Sequence, residues 1–142
     1  YLDEPTGLAN LRHFEESLEE EWRRGLRSGT ALGLLVLSLP GLPALVERDG
    51  KDAGEAVEVA VAQTLLAALR RAGDLAARLG EGSFAVLVPG AAAEDTLAIR
   101  EDLSARLSAL SLPEGGVRIG SASTVPTREG SAAALVAEAR AT

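Results

Sequence analysis

The sequence contains no cysteine, which excludes disulfides and thiolate metal sites. It has a single histidine, His13, placed beside a helix cap, where a structural role is expected and no catalytic one is assigned. Only 3% of the residues are aromatic, so leucine, valine and alanine must fill the core. Basic residues are in deficit, 14 Lys and Arg against 21 Asp and Glu, for a net charge of -7. That balance argues against general binding to nucleic acid or to an anionic membrane surface, while leaving room for one local basic site. No apolar run approaches the length of a membrane span, and no signal-peptide pattern opens the chain. A cytoplasmic domain is the resulting expectation.

What is present fits one domain. The chain has 142 residues, 46% of them hydrophobic, enough for a single core and too many for a disordered segment. No internal repeat, linker or low-complexity stretch marks a second domain. Tyr1 in place of Met suggests a piece of a longer chain, so other domains of a parent protein are expected partners.

The periodicity predicts alternating helices and strands. Leu2 to Asn10 is a turn-rich entry broken by Pro5 and Gly7, with Asn10 placed to cap a helix over 11–27. Leu11, Phe14, Leu18, Trp22 and Leu26 share one face of that helix. Its glutamates come early and its arginines late, which suits the helix dipole. Ala31 to Leu39 is short and almost continuously apolar, the pattern of a strand buried on both faces. Asp52 to Arg71 reads as a second long helix, with Ala56, Val59, Ala60, Gln63, Leu66, Ala67 and Leu69 as its apolar stripe, Arg70 and Arg71 at its end and Gly73 as terminator. Leu75 to Leu79 and Phe84 to Val88 are strands around the turn Gly80-Glu81-Gly82-Ser83, a hairpin. A third helix is expected over 94–110, with Leu97, Leu103 and Leu107 on its apolar face. A turn at Pro113 to Gly116, a strand over 117–124 and a last helix over 131–140 complete the order. Together these elements predict an α/β (α+β) sandwich with a mostly antiparallel central sheet flanked by helices.

The hairpin resembles the signature of the GGDEF family, the diguanylate cyclase domains. The family pattern R-x-x-D, five residues, G-G-D/E-E-F, apolar strand and Pro is matched in frame by Arg71, Asp74, Arg78, Gly80, Phe84 and Pro89. The entry is similar to the family's D-x-L-T-G-L-x-N-R-R through Asp3, Thr6, Gly7, Leu8, Asn10 and Arg12. Gly120 and Ala122 match its T/V-x-S-x-G-x-A strand. The last helix resembles the family's L-L-x-x-A-D pattern, with Arg140 at the Asp position. The resemblance covers nearly the whole chain and implies a nucleotidyl-cyclase or polymerase-palm fold.

It also implies which chemistry has changed. Glu81 stands at the second glycine, Gly82 at the acidic metal ligand and Ser83 at the second acid. At the end of the first strand Ser38 takes the metal-binding Asp position, Pro40 a second Asp, Pro43 a Lys and Val46 the guanine-contacting Asn. Two divalent ions with a triphosphate need anionic oxygen ligands, and these residues supply none. Glu47 and Asp49 lie nearby but are expected to face solvent. No catalytic residue, no bound metal and no cofactor are therefore expected. Arg71 and Asp74, by contrast, match the family's inhibitory site, which binds cyclic di-GMP. Arginine can fork onto guanine O6 and N7, and a carboxylate can accept from guanine N1 and N2. The matching place for a further arginine falls on Asp102, with Arg100 two residues earlier as a tentative extra contact.

Three functions remain open at this point. The first is a catalytically inactive receptor or regulatory module for cyclic di-GMP, which a homodimer could form around. The second is a ligand-independent dimerisation or protein-interaction scaffold, suggested by the apolar run from Leu39 to Val46. The third is a GTP-binding regulator or an enzyme of another kind.

Overall fold

A computed structural model describes residues 2–69 and 71–142. Tyr1 and Arg70, the latter expected at a helix end, lie outside the described residues. The order is α1 (Leu11–Ser28), β1 (Leu32–Ser38), α2 (Leu42–Asp49), α3 (Lys51–Ala68), β2 (Leu75–Gly80), β3 (Ser83–Pro89), α4 (Ala93–Ser108), β4 (Arg118–Thr124) and α5 (Ala132–Ala141). The strands form one antiparallel sheet in the order β2-β3-β1-β4. The antiparallel palm-like sheet flanked by helices is the expected fold. No helix among the described residues is long and apolar enough to cross a membrane.

Alternation along the strands divides the core in two. Leu35 and Leu37 of β1 with Phe84, Val86 and Val88 of β3 face Leu42 of α2, Val61 and Leu65 of α3, and Leu103 and Leu107 of α4. Leu34 and Val36 with Ala85 and Leu87 face Phe14, Leu18 and Trp22 of α1 and Leu135 and Ala139 of α5. Helices on both faces explain why β1 is apolar at successive positions. The Asn10 side chain accepts from the His13 backbone N–H at 2.9 Å, the cap the entry sequence predicts.

Several expectations are corrected. Helix α3 stops at Ala68, because Leu69 is extended at φ -76° and ψ 122°. Arg71 therefore sits in the loop beyond the helix, and Gly73, at φ +91°, shapes that loop instead of ending the helix. The buried row of α3 is Gly54, Glu58, Val61, Ala62 and Leu65, while Leu66 is exposed. An alanine-rich helix offers little contrast between its faces, and one buried acid conceals the rest. Leu11, Leu26 and Leu97 lie at the edges of their apolar faces and are exposed. The apolar run 39–46 turns inward: Leu39 and Leu42 are buried, and Leu45 and Val46 pack against the same core. The scaffold reading loses the surface that suggested it.

Candidate functional site

The hairpin turn is held by its backbone. Its loop is Glu81-Gly82, with Gly80 opposite Ser83 and an irregular register between Arg78 and Gly80. Gly82 takes φ +66°, and a Cβ there would come within 3.1 Å of Leu42 Cδ2. Its N–H donates to Glu58 Oε2 at 2.9 Å, and Leu39 N–H donates to its carbonyl at 2.9 Å. The turn is thus tied to α3 and to the loop after β1.

Glu58 is the centre of a network that the sequence did not reveal. Its carboxylate accepts from Arg78 Nε at 2.8 Å and from Arg78 Nη2 at 3.2 Å. Arg78 also reaches Asp3 Oδ1 at 3.4 Å, and Asp3 Oδ2 accepts from the Thr6 hydroxyl at 2.6 Å. The bidentate bond to Glu58 leads the interactions that hold the Arg78 guanidinium above its ordinary range. One chain of charges thus ties the entry turn, α3, β2 and the hairpin turn together. The only hint in the sequence is an acid at position 58 between Val57 and Val59.

The positions that match the family's active-site residues are split between two clefts, although Ser38, Gly82 and Ser83 adjoin where β1 meets the hairpin. Val46 and Glu81 line a small cavity of about 280 Å³ with Glu55, Glu58, Lys51 and Arg78. Ser38 and Ser83 are opposite each other across β1 and β3. Ser38 lines a different cleft, with Arg100, Arg118 and Arg140. Glu47 is exposed, and Asp49 is bound to its neighbour Arg48 at 2.9 Å. Among the described residues no group of three or more His, Cys, Asp or Glu is placed to hold a metal ion.

Arg71 and Asp74 share the loop between α3 and β2. The Asp74 backbone N–H donates to the Arg71 carbonyl at 3.2 Å, closing a turn that brings both side chains to one place. Arg71 is exposed, and its Nη2 donates to the Pro89 carbonyl at 3.1 Å. Gly90 lies under the guanidinium: a Cβ there would come within 3.2 Å of Nη2. Arg71 forms no ion pair among the described residues, and its remaining N–H groups have no hydrogen-bond partner there. Asp74 is half-buried. Its Oδ1 is buried and has no hydrogen-bond partner among the described residues. Burial pushes the Asp74 carboxyl above its usual range, opposed by the Arg71 charge and the Arg71 backbone. The exposed guanidinium keeps spare donors, whereas the spare acceptor of Asp74, Oδ1, is enclosed in the loop.

Arg100 is not brought to this loop. It donates to Ser121 Oγ at 3.3 Å, on β4, whereas Asp74 leads into β2 at the opposite edge of the sheet. Three strand intervals separate those edges, on the order of 14 Å. Asp102 accepts from Arg106 at 2.9 Å.

The family model described as "Diguanylate cyclase, GGDEF domain" matches residues 1–142. The chain belongs to the GGDEF family. It is 32% identical over 126 residues to the diguanylate cyclase TpbB of Pseudomonas aeruginosa, covering 88% of this chain and 27% of that protein. It spans about half or less of the length of the curated relatives it matches. In structure it resembles the diguanylate cyclase SiaD of P. aeruginosa, crystallised with its activator SiaC, with a TM-score of 0.88 and 26% identity over 99% of this chain and 55% of that one. The GGDEF domain of DgcB from Caulobacter crescentus, in complex with c-di-GMP, has the same fold, with a TM-score of 0.88 and 24% identity over 99% of this chain and 83% of that one.

Proposed function

We propose that this GGDEF domain is a catalytically inactive receptor that binds cyclic di-GMP at Arg71 and Asp74. The observation that carries the reading is the loop itself. An exposed guanidinium with spare donors shares a turn with a half-buried carboxylate whose Oδ1 is enclosed and unsatisfied among the described residues, so that a ligand bonding it must first uncover it. Guanine presents complementary groups to both: O6 and N7 accept from Arg71, and N1–H and N2–H₂ donate to Asp74. The occupancy of the DgcB structure by c-di-GMP makes this the first ligand to try.

Donor chemistry at the family's metal positions supports inactivity. Hard divalent ions take carboxylate and carbonyl oxygens. The residues at the family's metal positions, Ser38 and Gly82, offer one hydroxyl and no side chain. Gly82 has its N–H committed to Glu58, and a side chain at this position would crowd Leu42. These residues do not fit a pair of magnesium ions.

The test has two arms. Titration of the chain with cyclic di-GMP is expected to saturate, and Arg71→Ala is expected to weaken binding by about 10-fold to 100-fold, the scale of a lost charged hydrogen-bonding group. Absence of saturable binding, or binding indifferent to Arg71→Ala, overturns the receptor reading. Incubation with GTP and magnesium is expected to yield no cyclic product, and detectable product overturns inactivity.

A further inference from the structure

The solvent face of α1 carries its charges in a mirrored order. Phe14, Leu18 and Trp22 turn inward, and the helix packs on β2, β1 and α5. On the opposite side Glu16, Glu19, Glu20, Arg23, Arg24 and Arg27 are all exposed. Their positions are symmetric about the midpoint between residues 21 and 22. Each acid on one side of that midpoint has an arginine at the same distance on the other. Of the remaining exposed charges on α1, Arg12 lies against Glu16 at 3.4 Å, and Glu15 has the neutral Ser28 as its mirror. The shallow surface over Glu15, Glu16, Glu19, Glu20 and Arg23 is bordered by α1 alone.

The helix dipole does not account for this order. It acts on the first and last turns, and the first turn of α1 holds no acid. Pairing within the helix asks only for a spacing of three or four residues, not for a mirror. The order is that of a self-complementary surface. A two-fold axis through the midpoint turns a second copy end for end and sets its arginine half against the acid half of the first. With 3.6 residues per turn and 1.5 Å per residue, Glu16, Glu19 and Glu20 then lie on the same flank as Arg27, Arg23 and Arg24 of the second copy, level to within about one residue.

We propose that α1 is a self-association surface on which a second copy of this chain docks antiparallel, Glu16, Glu19 and Glu20 of each copy meeting Arg27, Arg23 and Arg24 of the other. Single exposed ion pairs contribute little, but a symmetric network of them adds up. The contact is polar and small, so the dimer is weak and sensitive to salt. It uses no residue of the Arg71 loop and needs no ligand, so the two readings stand or fall separately.

Sedimentation equilibrium of the chain without nucleotide tests this. At about 1 mM protein and low salt the mean mass is expected to rise above the 14.6 kDa of one chain, and to return to it in about 0.5 M sodium chloride. Arg23→Glu, Arg24→Glu and Arg27→Glu combined should abolish association, as should Glu16→Arg, Glu19→Arg and Glu20→Arg combined. Mixing these two variants should restore it as a heterodimer, at least about tenfold tighter than either variant with itself. A control with Glu94→Arg, Glu101→Arg and Glu138→Arg makes the same change of net charge at exposed positions off α1, and should not pair with the arginine-reversed variant. Circular dichroism verifies that α1 survives in each variant. Arg23→Gln with Arg27→Gln, which keeps good helix formers at both positions, should also weaken association. A monomeric parent at low salt, association that survives high salt or either reversal, a mixture that forms no heterodimer, or a control that pairs equally well overturns the proposal.

Discussion

Asp74 carries an internal cost in the free domain. Burial raises its carboxyl in the folded chain, so the unfolded chain loses this proton first as pH rises. The sign follows: the contribution to stability is intact below the unfolded value and is lost as pH climbs through the folded one. Asp74→Asn removes the charge and keeps the shape. We expect it to raise the melting temperature at pH 7 by roughly 1–2 °C, the gain shrinking toward zero in acid, while cyclic di-GMP binding is lost. Thermal melts over a pH series check the first part and a titration the second. A variant less stable at neutral pH than in acid, relative to the parent, would show that the carboxylate is satisfied in the fold.

Gly82 gives a second prediction at this scale. Its φ of +66° and its contact with Leu42 make it a poor host for a side chain. Gly82→Glu, the family acid restored, should cost about 1–2 kcal/mol from the left-handed backbone alone. Even combined with Ser38→Asp it should yield no cyclic product from GTP and magnesium. Urea unfolding and product chromatography measure the two outcomes.

At the level of elements, the bond between α3 and the hairpin is the joint of the fold. Removing one partner of a largely buried ion pair strands the other. Glu58→Ala leaves Arg78 with the longer contact to Asp3 and strips the Gly82 N–H of its acceptor. The expected loss is about 2–4 kcal/mol in urea unfolding, reduced because Arg78 keeps some access to solvent. Asp3→Ala should cost about 1 kcal/mol or less. The same joint marks where the sequence stopped being legible. Strands bounded by glycine and proline were placed within about a residue, because β-branched and leucine runs between turn residues carry their own boundaries. The buried face of α3 was misassigned, since a charge neutralised by Arg78, 20 residues away, is invisible to periodicity. Arg71 and Asp74 were readable as a motif. That Asp74 would carry a buried oxygen beside an open guanidinium was not, because the end of α3 at Ala68 sets that loop.

For the whole molecule, close approach of layers depends on a few positions without side chains. Gly120 of β4 lies directly beneath the Ala139 carbonyl of α5, where a methyl group would collide with backbone. Gly120→Ala should therefore push α5 off the sheet and lower stability by about 2 kcal/mol, read as a drop in melting temperature. The Arg71 loop, at the other edge of the sheet, should be spared.

The entry segment is stitched to the outer side of β2: Ala9 N–H donates to the Ala76 carbonyl at 3.2 Å, and Arg78 N–H donates to the Ala9 carbonyl at 2.9 Å. The strand that begins just after Asp74 is therefore the strand on which the first residues rest. A ligand that quiets the loop should slow deuterium uptake at the amides of Ala9 and Arg78, which it never touches. Those two positions form an intrinsic gauge of occupancy, readable by mass spectrometry or NMR without any label near the binding loop.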